Sequence, residues 1–282
     1  MKQKITCMLL CLMMAIAVAA QEKADIVASY DEKISGWRTD SVRTSHMSLL
    51  ANSRGAKYFN DLSLWSDSLS STPEGKKQLN QIIMAACMTE MPGGGITMDM
   101  RKGPVKKIHT YVFTSMPDDK LTYYGKFGDS EGYYDEPLDE MQWEIDDSTA
   151  VILGYECQSA TTDYHGRRWT AWFTTDIPLP FGPWKFHGLP GLILKAEADP
   201  AFVFEATGIE RSDRLMTPIY SPENYQRTDR KKALADDEYY INNLEAILQA
   251  KFGGKVEFNP GSADRPKYNA AKYSLEPDYI DR

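Results

Sequence analysis

The residues between positions 163 and 187 contain the densest mixture of aromatic and basic side chains in the sequence. Aromatic rings beside guanidinium, ammonium or imidazole groups can form a cation–π surface or a site for an anionic ligand. A structural interpretation stands beside this one: the tryptophans fill a sheet, the arginines pair with nearby acids and the prolines stiffen a loop. The positions that we predict to contact a ligand or partner are His165, Arg168, Trp172, Trp184 and His187.

Catalysis is an alternative use of the same segment. Hydrolysis of an envelope polymer would need a nucleophile–base pair or paired carboxylates in one cleft, and the local set is Asp163, His165 and Asp176. The chain has no GxSxG, HExxH, phosphate-loop or dinucleotide-binding motif. Its histidines are not at metal-ligand spacing from one another. We therefore predict no catalytic residue, no metal ligand and no cofactor, and we keep the hydrolase as an alternative.

Sulfur-bearing side chains form a second group that could do chemistry. Thioether and thiolate ligands favour Cu(I), and the first four members of the group are at helical spacing, so one helix face could present several sulfurs. Core packing by adaptable methionines is a second interpretation, and a flexible apolar contact surface is a third. The group consists of Met84, Cys87, Met88, Met91, Met98 and Met100.

The composition excludes some classes of protein. Of the 282 residues, 42% are hydrophobic and 26% are charged, which is typical of a globular protein and not of a disordered chain. Acidic side chains number 40 and basic ones 32, so the net charge is -8. Nonspecific binding of nucleic acid needs a basic surface, and we therefore predict no nucleic-acid partner.

Residues 1–20 have the organisation of a secretory signal peptide. Two lysines precede an apolar stretch that ends in small residues, so cleavage is expected just before Ala20 or Gln21. No later apolar stretch reaches the roughly 20 residues that span a bilayer, which predicts no transmembrane segment after cleavage. We expect an exported protein, periplasmic or associated with the outer membrane. In such a protein Cys87 and Cys157 could form a disulfide or remain as two buried thiols.

The elements that must position these side chains are mostly strands. A helix is predicted to begin at Pro73 and to run through Cys87, because apolar residues recur there at intervals of three and four. The Pro-Gly-Gly-Gly stretch at residues 92–95 is predicted to end it. A second helix is predicted to begin after the capping residues Thr228 and Asp229. Short apolar runs without helical spacing lie between the two helices and predict a series of strands.

The clearest strands form a hairpin that joins residues 152–162 to residues 167–174, with Gly166 in the turn. Side chains alternate between the two faces of a strand. The second strand is therefore predicted to turn Trp169, Ala171 and Phe173 toward the core, and the opposite face carries Arg168, Thr170 and Trp172.

These elements predict an α+β fold that is dominated by β structure. We expect a curved antiparallel sheet, open or half-barrel-like, with two or three helices. Residues 21–258 are predicted to form a single β-rich domain, and residues 259–282 a polar C-terminal tail.

Residues 141–195 carry a series of motifs in order. Residues 154–160 read GYECQSA, residues 166–173 read GRRWTAWF, and residues 188–193 read GLPGLI. With these motifs the chain resembles the GLPGLI family of exported proteins from Bacteroidetes-type bacteria. The resemblance implies export and one β-rich domain, and it supplies no reaction or cofactor. The matching residues, for which it implies a structural role, are Gly154, Tyr155, Cys157, Gly166, Arg167, Trp169, Pro178, Gly188, Leu189, Pro190, Gly191, Leu192 and Ile193.

Together these observations predict a noncatalytic exported envelope protein. It would bind a hydrophobic small molecule in the concavity of its sheet, or dock to an outer-membrane or periplasmic protein. Aromatic residues make up 11% of the chain, which slightly favours such a binding role. The alternatives are the hydrolase that uses Asp163, His165 and Asp176, and periplasmic copper handling by the sulfurs of residues 84–100.

Overall fold

A computed structural model of the chain describes residues 22–36, 41–91, 93–99, 102–138, 141–198, 201–252 and 267–280. The predicted signal peptide lies outside these residues. The strands are β1 (Ile26–Ser35), β2 (Val42–Ala51), β3 (Gly55–Phe59), β4 (Met88–Glu90), β5 (Ile96–Met98), β6 (Tyr111–Ser115), β7 (Lys120–Phe127), β8 (Ser130–Pro137), β9 (Glu144–Ile152), β10 (Tyr155–Tyr164), β11 (Arg167–Thr174), β12 (Leu192–Ala198), β13 (Phe202–Arg211) and β14 (Gln226–Arg227). The α-helices are α1 (Asp61–Ser70), α2 (Pro73–Cys87), α3 (Arg230–Phe252) and α4 (Ala270–Tyr273).

Twelve of the described strands form one sheet, in the order β14-β8-β7-β6-β3-β2-β1-β13-β12-β11-β10-β9. Every neighbouring pair is antiparallel except β14 and β8, which are parallel. The edge strands β14 and β9 do not pair with each other within the described residues, so the sheet is open. This arrangement confirms the predicted β-dominated α+β fold. Strands β4 and β5 form a separate small hairpin.

The predicted hairpin of β10 and β11 is present. Its two-residue turn consists of His165 and Gly166, both with positive φ (50° and 83°), which matches the right-handed twist of the flanking strands. The predicted faces are also confirmed, because Trp169, Ala171 and Phe173 are buried while Arg168 is exposed.

Helix α2 begins where its sequence predicts, but it ends at Cys87, before the predicted stop at residues 92–95, because Met88–Glu90 form strand β4. Met88 and Met91 are therefore not on the helix face that was predicted to present them. The Thr72 hydroxyl accepts a hydrogen bond from the Gly75 amide at 3.1 Å, and Pro73 occupies the first turn, where its missing N–H costs nothing. Helix α1 is not among the predicted helices because its apolar pattern is mixed. It begins where the Asn60 side chain accepts from the Ser63 amide at 3.0 Å.

The sheet has a core on each face. Alternation along β3 shows this directly: Tyr58 belongs to the larger core, and Phe59 belongs to a smaller core on the opposite face. The larger core also contains the aromatic side chains of the loop at 175–191. The smaller core is covered by residues 214–222, which we call the strap. Among the described helices, none combines the length and the apolar character needed to cross a membrane.

Candidate functional site

The hairpin turn buries His165 instead of exposing it. The side chain is 6% exposed, and each ring nitrogen faces a carboxylate. Nε2 lies 2.7 Å from Oε1 of Glu136, and Nδ1 lies 3.3 Å from Oδ2 of Asp278. The contact with Glu136 lacks the angles of a hydrogen bond.

Two cations complete this site. The Lys185 ammonium lies 2.5 Å from Glu136 and 2.6 Å from Glu276. The Arg230 guanidinium lies 2.8 Å from Glu276, 2.6 Å from Asp278 and 3.3 Å from Glu136. Three basic side chains therefore face three carboxylates. We call this set the ionic cluster; its members are Glu136, His165, Lys185, Arg230, Glu276 and Asp278.

Electrostatics in the ionic cluster favour the charged forms of Glu136 and Asp278. Burial alone would raise the pKa of Glu136, but the adjacent Lys185 and His165 outweigh it and lower that pKa to about 2. Burial would likewise raise the pKa of Asp278, and Arg230 holds it below its usual range. The Lys185 ammonium also lies over the rings of Tyr134, at 4.8 Å, and Trp184, at 5.4 Å.

The members of the ionic cluster come from widely separated parts of the chain. Glu136 lies on β8, His165 in the hairpin turn, and Lys185 in the aromatic loop. Arg230 is the first residue of α3, and both Glu276 and Asp278 belong to the segment at 267–280. The cluster therefore fixes five segments relative to one another.

A metal ion is the alternative occupant of this position. Glu136, His165 and Glu276 each offer a ligand atom, and the three atoms lie within 4.8 Å of one another. Each glutamate, however, already contacts both Lys185 and Arg230. A divalent cation would join two fixed cations in a site with three carboxylates, so the charges favour the ionic cluster over a metal site.

The aromatic members of the predicted binding set lie mainly in the core. Trp184 is buried, and its ring stacks on Phe204 with a centroid distance of 6.2 Å. His187 is buried, and its ring nitrogens lie 2.7 Å and 2.9 Å from the backbone oxygens of Lys185 and Leu138. These contacts support the structural interpretation, and neither side chain is on the outer surface.

The other three members of the predicted binding set lie in different surroundings. Arg168 is exposed and contacts both Asp163 and Glu144 at 2.9 Å. Trp172 is half-buried on the same strand face as Arg168, while His165 belongs to the ionic cluster. The five residues therefore do not gather around one cavity, and their role in ligand or partner binding stays a prediction.

The residues of the hydrolase alternative also diverge. The Asp163 side chain is 74% exposed and pairs with Arg168, whereas His165 is buried among other carboxylates. Asp176 lies exposed after β11. The structure thus brings His165 to Glu136 and Asp278, and not to the two aspartates that sequence proximity suggested.

The sulfur-bearing residues surround the end of α2. Met88 and Met98 are opposite each other in the β4–β5 hairpin, and both are exposed, as are Met84 and Met91. Cys87 is buried. Met100 lies outside the described residues. Copper handling by these sulfurs stays a prediction.

The cysteine pair left open by the sequence is not joined. Cys87 and Cys157 are both buried free thiols. A buried thiol in apolar surroundings behaves as a small hydrophobic side chain, and both residues pack in this way.

The GLPGLI segment is embedded in the fold. Gly188 adopts φ +91°, a conformation that favours glycine. Leu189, Leu192 and Ile193 are buried in the larger core, and the Ile193 backbone oxygen accepts a hydrogen bond from Tyr30 at 2.8 Å. These contacts indicate that the GLPGLI segment has a structural role.

Arg167 binds the backbone of the segment at 267–280. Its guanidinium lies over the Phe202 ring at 4.4 Å, and its Nε donates to the backbone oxygen of Ser274 at 2.7 Å. Arg167 and the ionic cluster therefore attach the same C-terminal segment to the hairpin.

An open groove lies on the opposite face of the sheet, between the strap and strands β3, β6 and β7. Its volume is about 1250 Å³, somewhat more than the roughly 300–1,000 Å³ of typical small-molecule sites. Charged side chains, among them Arg54 and Glu22, lie at its margin. The apolar side chains that line it include Phe113, Tyr124, Leu215, Met216 and Ile219.

Lys57 lies at the floor of this groove and is fully buried. Its ammonium donates to the backbone oxygen of Thr217 at 2.9 Å and to the Thr217 hydroxyl at 3.1 Å. It lies over the rings of Phe59, at 4.7 Å, and Phe113, at 5.5 Å. No ion pair joins it to a carboxylate of the described residues. Burial, together with the nearby Arg214, lowers the pKa of Lys57 from 10.5 to about 7, although Asp61 and Asp67 act in the opposite direction.

Sequence reasoning did not single out Lys57. The alternation of side chains along β3 could have indicated it, because it places Lys57 on the same face as Phe59. All five residues of this strand are buried.

The low pKa of Lys57 makes the stability of the protein depend on pH. The unfolded chain holds the Lys57 proton up to pH 10.5 and the folded chain only up to about pH 7, so stability rises as the pH increases between these values. Between about pH 7.5 and about pH 9, we expect the free energy of unfolding of wild type to rise by about 2 kcal/mol relative to that of Lys57→Met. Urea denaturation at several pH values measures the difference. If the free energy of unfolding depended on pH in the same way in both proteins, the lowered pKa of the buried Lys57 would be contradicted.

Comparison with known proteins gives a match over a short stretch. Residues 165–195 match the model of a family described as "Protein of unknown function (Porph_ging)". This stretch contains β11, the aromatic loop and the GLPGLI motif at 188–193. The match supports a family resemblance in this part of the chain, while membership of the GLPGLI family itself is not confirmed by it. No curated protein matches the chain.

Solved structures resemble the fold only distantly. Two structures of PNGF-II, in space groups C2 and P21, are 14% identical in sequence, with a TM-score of 0.47. They cover 77% and 76% of this chain, which spans about a third of theirs (33%). A putative outer membrane lipoprotein-sorting protein domain from Vibrio parahaemolyticus is 10% identical, with a TM-score of 0.24, over 77% of this chain and 94% of its own.

Proposed function

We propose that the protein is a noncatalytic, exported protein of the cell envelope that binds a hydrophobic small molecule in the groove beneath the strap. The observation that carries the proposal is the groove itself, a cavity of about 1250 Å³ with aromatic and aliphatic walls. Removing an apolar ligand from water in such a cavity is favourable by roughly 25 cal/mol for each Å² buried. Export is inferred from the signal-peptide pattern of residues 1–20.

The strap is suited to border a site that must admit a ligand. At its start, its backbone is attached to residues 22–24 of the same chain. The Arg214 oxygen accepts from the Ala24 amide at 2.9 Å, the Met216 amide donates to the Glu22 oxygen at 2.9 Å, and Leu215 forms a bridge with Lys23. Pro218 and Pro222 have no N–H to donate. A segment with few backbone hydrogen bonds to the sheet opens at a lower free-energy cost than a strand does.

The groove favours a small molecule over the hydrolase alternative. Hydrolysis requires a nucleophile or paired acids that face a cavity, and the described walls of the groove are mainly apolar. Docking to an envelope protein is the second form of a binding function, and the exposed methionines near β4 and β5 would suit a contact surface.

A neutral fluorescent probe tests the groove. We expect residues 21–282 to bind N-phenyl-1-naphthylamine saturably, with a rise in its fluorescence. Leu215→Asp should weaken this binding about tenfold, because the probe would desolvate a carboxylate. Leu215 is 43% exposed, so the variant should still fold.

The matched control is Val151→Asp on β9, which introduces the same charge at a side chain that is 75% exposed and away from the groove. This variant should bind the probe as wild type does. Absence of saturable binding by wild type, or equal losses in both variants, would contradict the proposed function.

A further inference from the structure

Two lysines of the described residues are completely buried, and their surroundings differ. Lys185 lies between two carboxylates, at 2.5 Å and 2.6 Å. Lys57 is equally buried, but its hydrogen-bond acceptors among the described residues are the two oxygens of Thr217. An ammonium has three N–H donors, so one donor of Lys57 is left without an acceptor there. Burying a charge in this way is costly unless a counter-charge pairs with it.

The position of Lys57 connects this missing counter-charge to the groove. Lys57 is opposite Phe113 in the β3–β6 register, and both line the groove. The strap residue that accepts from Lys57 is Thr217, between Met216 and Pro218, which are themselves groove residues. A ligand that displaces Thr217 from the ammonium would thus have its apolar part against the groove walls.

The charged groups around Lys57 do not supply the counter-charge. Asp61 is paired with Arg214 at 2.8 Å, and Asp67 is paired with Lys106 at 2.8 Å. At the margin of the groove, Arg54 is paired with Glu22 at 2.7 Å. Asp118, another acid that lines the groove, accepts a hydrogen bond from the Ser115 hydroxyl at 2.7 Å. None of these acids forms an ion pair with Lys57 among the described residues, so its ammonium lacks a directly paired anion.

We propose that the groove takes an amphipathic acid, a long hydrocarbon chain that ends in an anionic head group, and that Lys57 is the receptor for that head group. The inference rests on the proposed function of the groove, since it assigns the chemical class of the ligand bound there. The head group replaces the oxygens of Thr217 as acceptor from Lys57, and the chain lies along Phe113, Met216 and Ile219. The anion also stabilises the charged form of a lysine that burial otherwise disfavours.

The test compares ligands that share a chain and differ in head group. Oleate, oleyl phosphate and oleyl alcohol are titrated against residues 21–282 by displacement of N-phenyl-1-naphthylamine. We expect one or both anions to bind wild type about tenfold or more tightly than the alcohol, as a charge-assisted hydrogen bond implies. Oleate and the phosphate distinguish a free fatty acid from a phosphate-headed lipid.

The variants identify the receptor. In Lys57→Met the preference for the anion should fall to about twofold or less, while the affinity for oleyl alcohol stays within about twofold of wild type. The control Lys195→Met removes an ammonium that is paired with Glu197 at 2.8 Å on β12, and it should keep the preference.

The outcomes separate the two claims. Equal affinity of wild type for the anions and the alcohol overturns the amphipathic acid while leaving the groove as an apolar site. A preference that survives in Lys57→Met overturns the role of Lys57. Binding of none of the three molecules, nor of the fluorescent probe, contradicts the proposed function itself. The comparison of ligands on wild type needs no variant, so it remains decisive even if Lys57→Met fails to fold.

Discussion

Replacement of Lys185 by methionine is expected to lower the free energy of unfolding by about 3–5 kcal/mol. The methionine fills a similar volume, but it leaves Glu136 and Glu276 without the ammonium that lies 2.5 Å and 2.6 Å from them. Both glutamates are at least nine-tenths buried, so water cannot take the place of the lysine. The remaining Arg230 and His165 cannot balance three carboxylates.

Urea denaturation near neutral pH measures this loss. The matched control is Lys251→Met, which removes an exposed ion pair with Asp129 at 2.7 Å and should change stability by less than about 1 kcal/mol. Adding Glu276→Gln to Lys185→Met should restore part of the loss, because it removes one of the unpaired charges. Similar losses for Lys185→Met and Lys251→Met would show that the ionic cluster contributes little.

Gly191→Ala is expected to be the most damaging small substitution in the GLPGLI segment. A Cβ at this position would lie 2.0 Å from the backbone oxygen of Thr174 and 3.0 Å from the Thr175 nitrogen. Backbone atoms of an adjacent strand end cannot move aside as a flexible side chain can, so the aromatic loop must separate from β11. We expect a loss of about 4 kcal/mol or more, or no stable protein.

The control for this substitution is Gly208→Ala on β13. No atom lies within 4 Å of the Cβ that it would add, and alanine restricts the unfolded chain, so stability should change by less than about 1 kcal/mol. Thermal unfolding followed by circular dichroism compares the two. A melting temperature for Gly191→Ala close to that of Gly208→Ala would mean that the close approach of the loop to β11 is unimportant.

Local sequence signals account for the parts of the fold that were predictable. The two-residue turn at Gly166 and the alternation along β11 depend only on neighbouring residues, and the structure confirms both. The start of α2 is equally local, because Thr72 and Pro73 act within one helical turn. Helix α1 has no regular repeat of apolar residues, so its sequence did not predict it, although it packs against α2.

The charged sites could not be predicted in this way. His165 and Asp278 are 113 positions apart, and Lys57 and Thr217 are 160 apart. Nothing in the spacing of these residues indicates that they meet, since their contacts follow from the order of strands in the sheet. Sequence proximity instead favoured Asp163 as a partner of His165, and the alternation of β10 turns Asp163 away to the surface.

The ionic cluster also bears on the order in which a newly synthesised chain can complete its fold. Arg230 and Glu276 are 46 positions apart, so in a chain that emerges from its N-terminal end the three basic residues appear well before two of their three acids. Until residues 276–278 are present, Glu136 is the one acid of the cluster available to His165, Lys185 and Arg230. We therefore expect the hairpin turn and the aromatic loop to reach their final positions only after this late segment joins the fold.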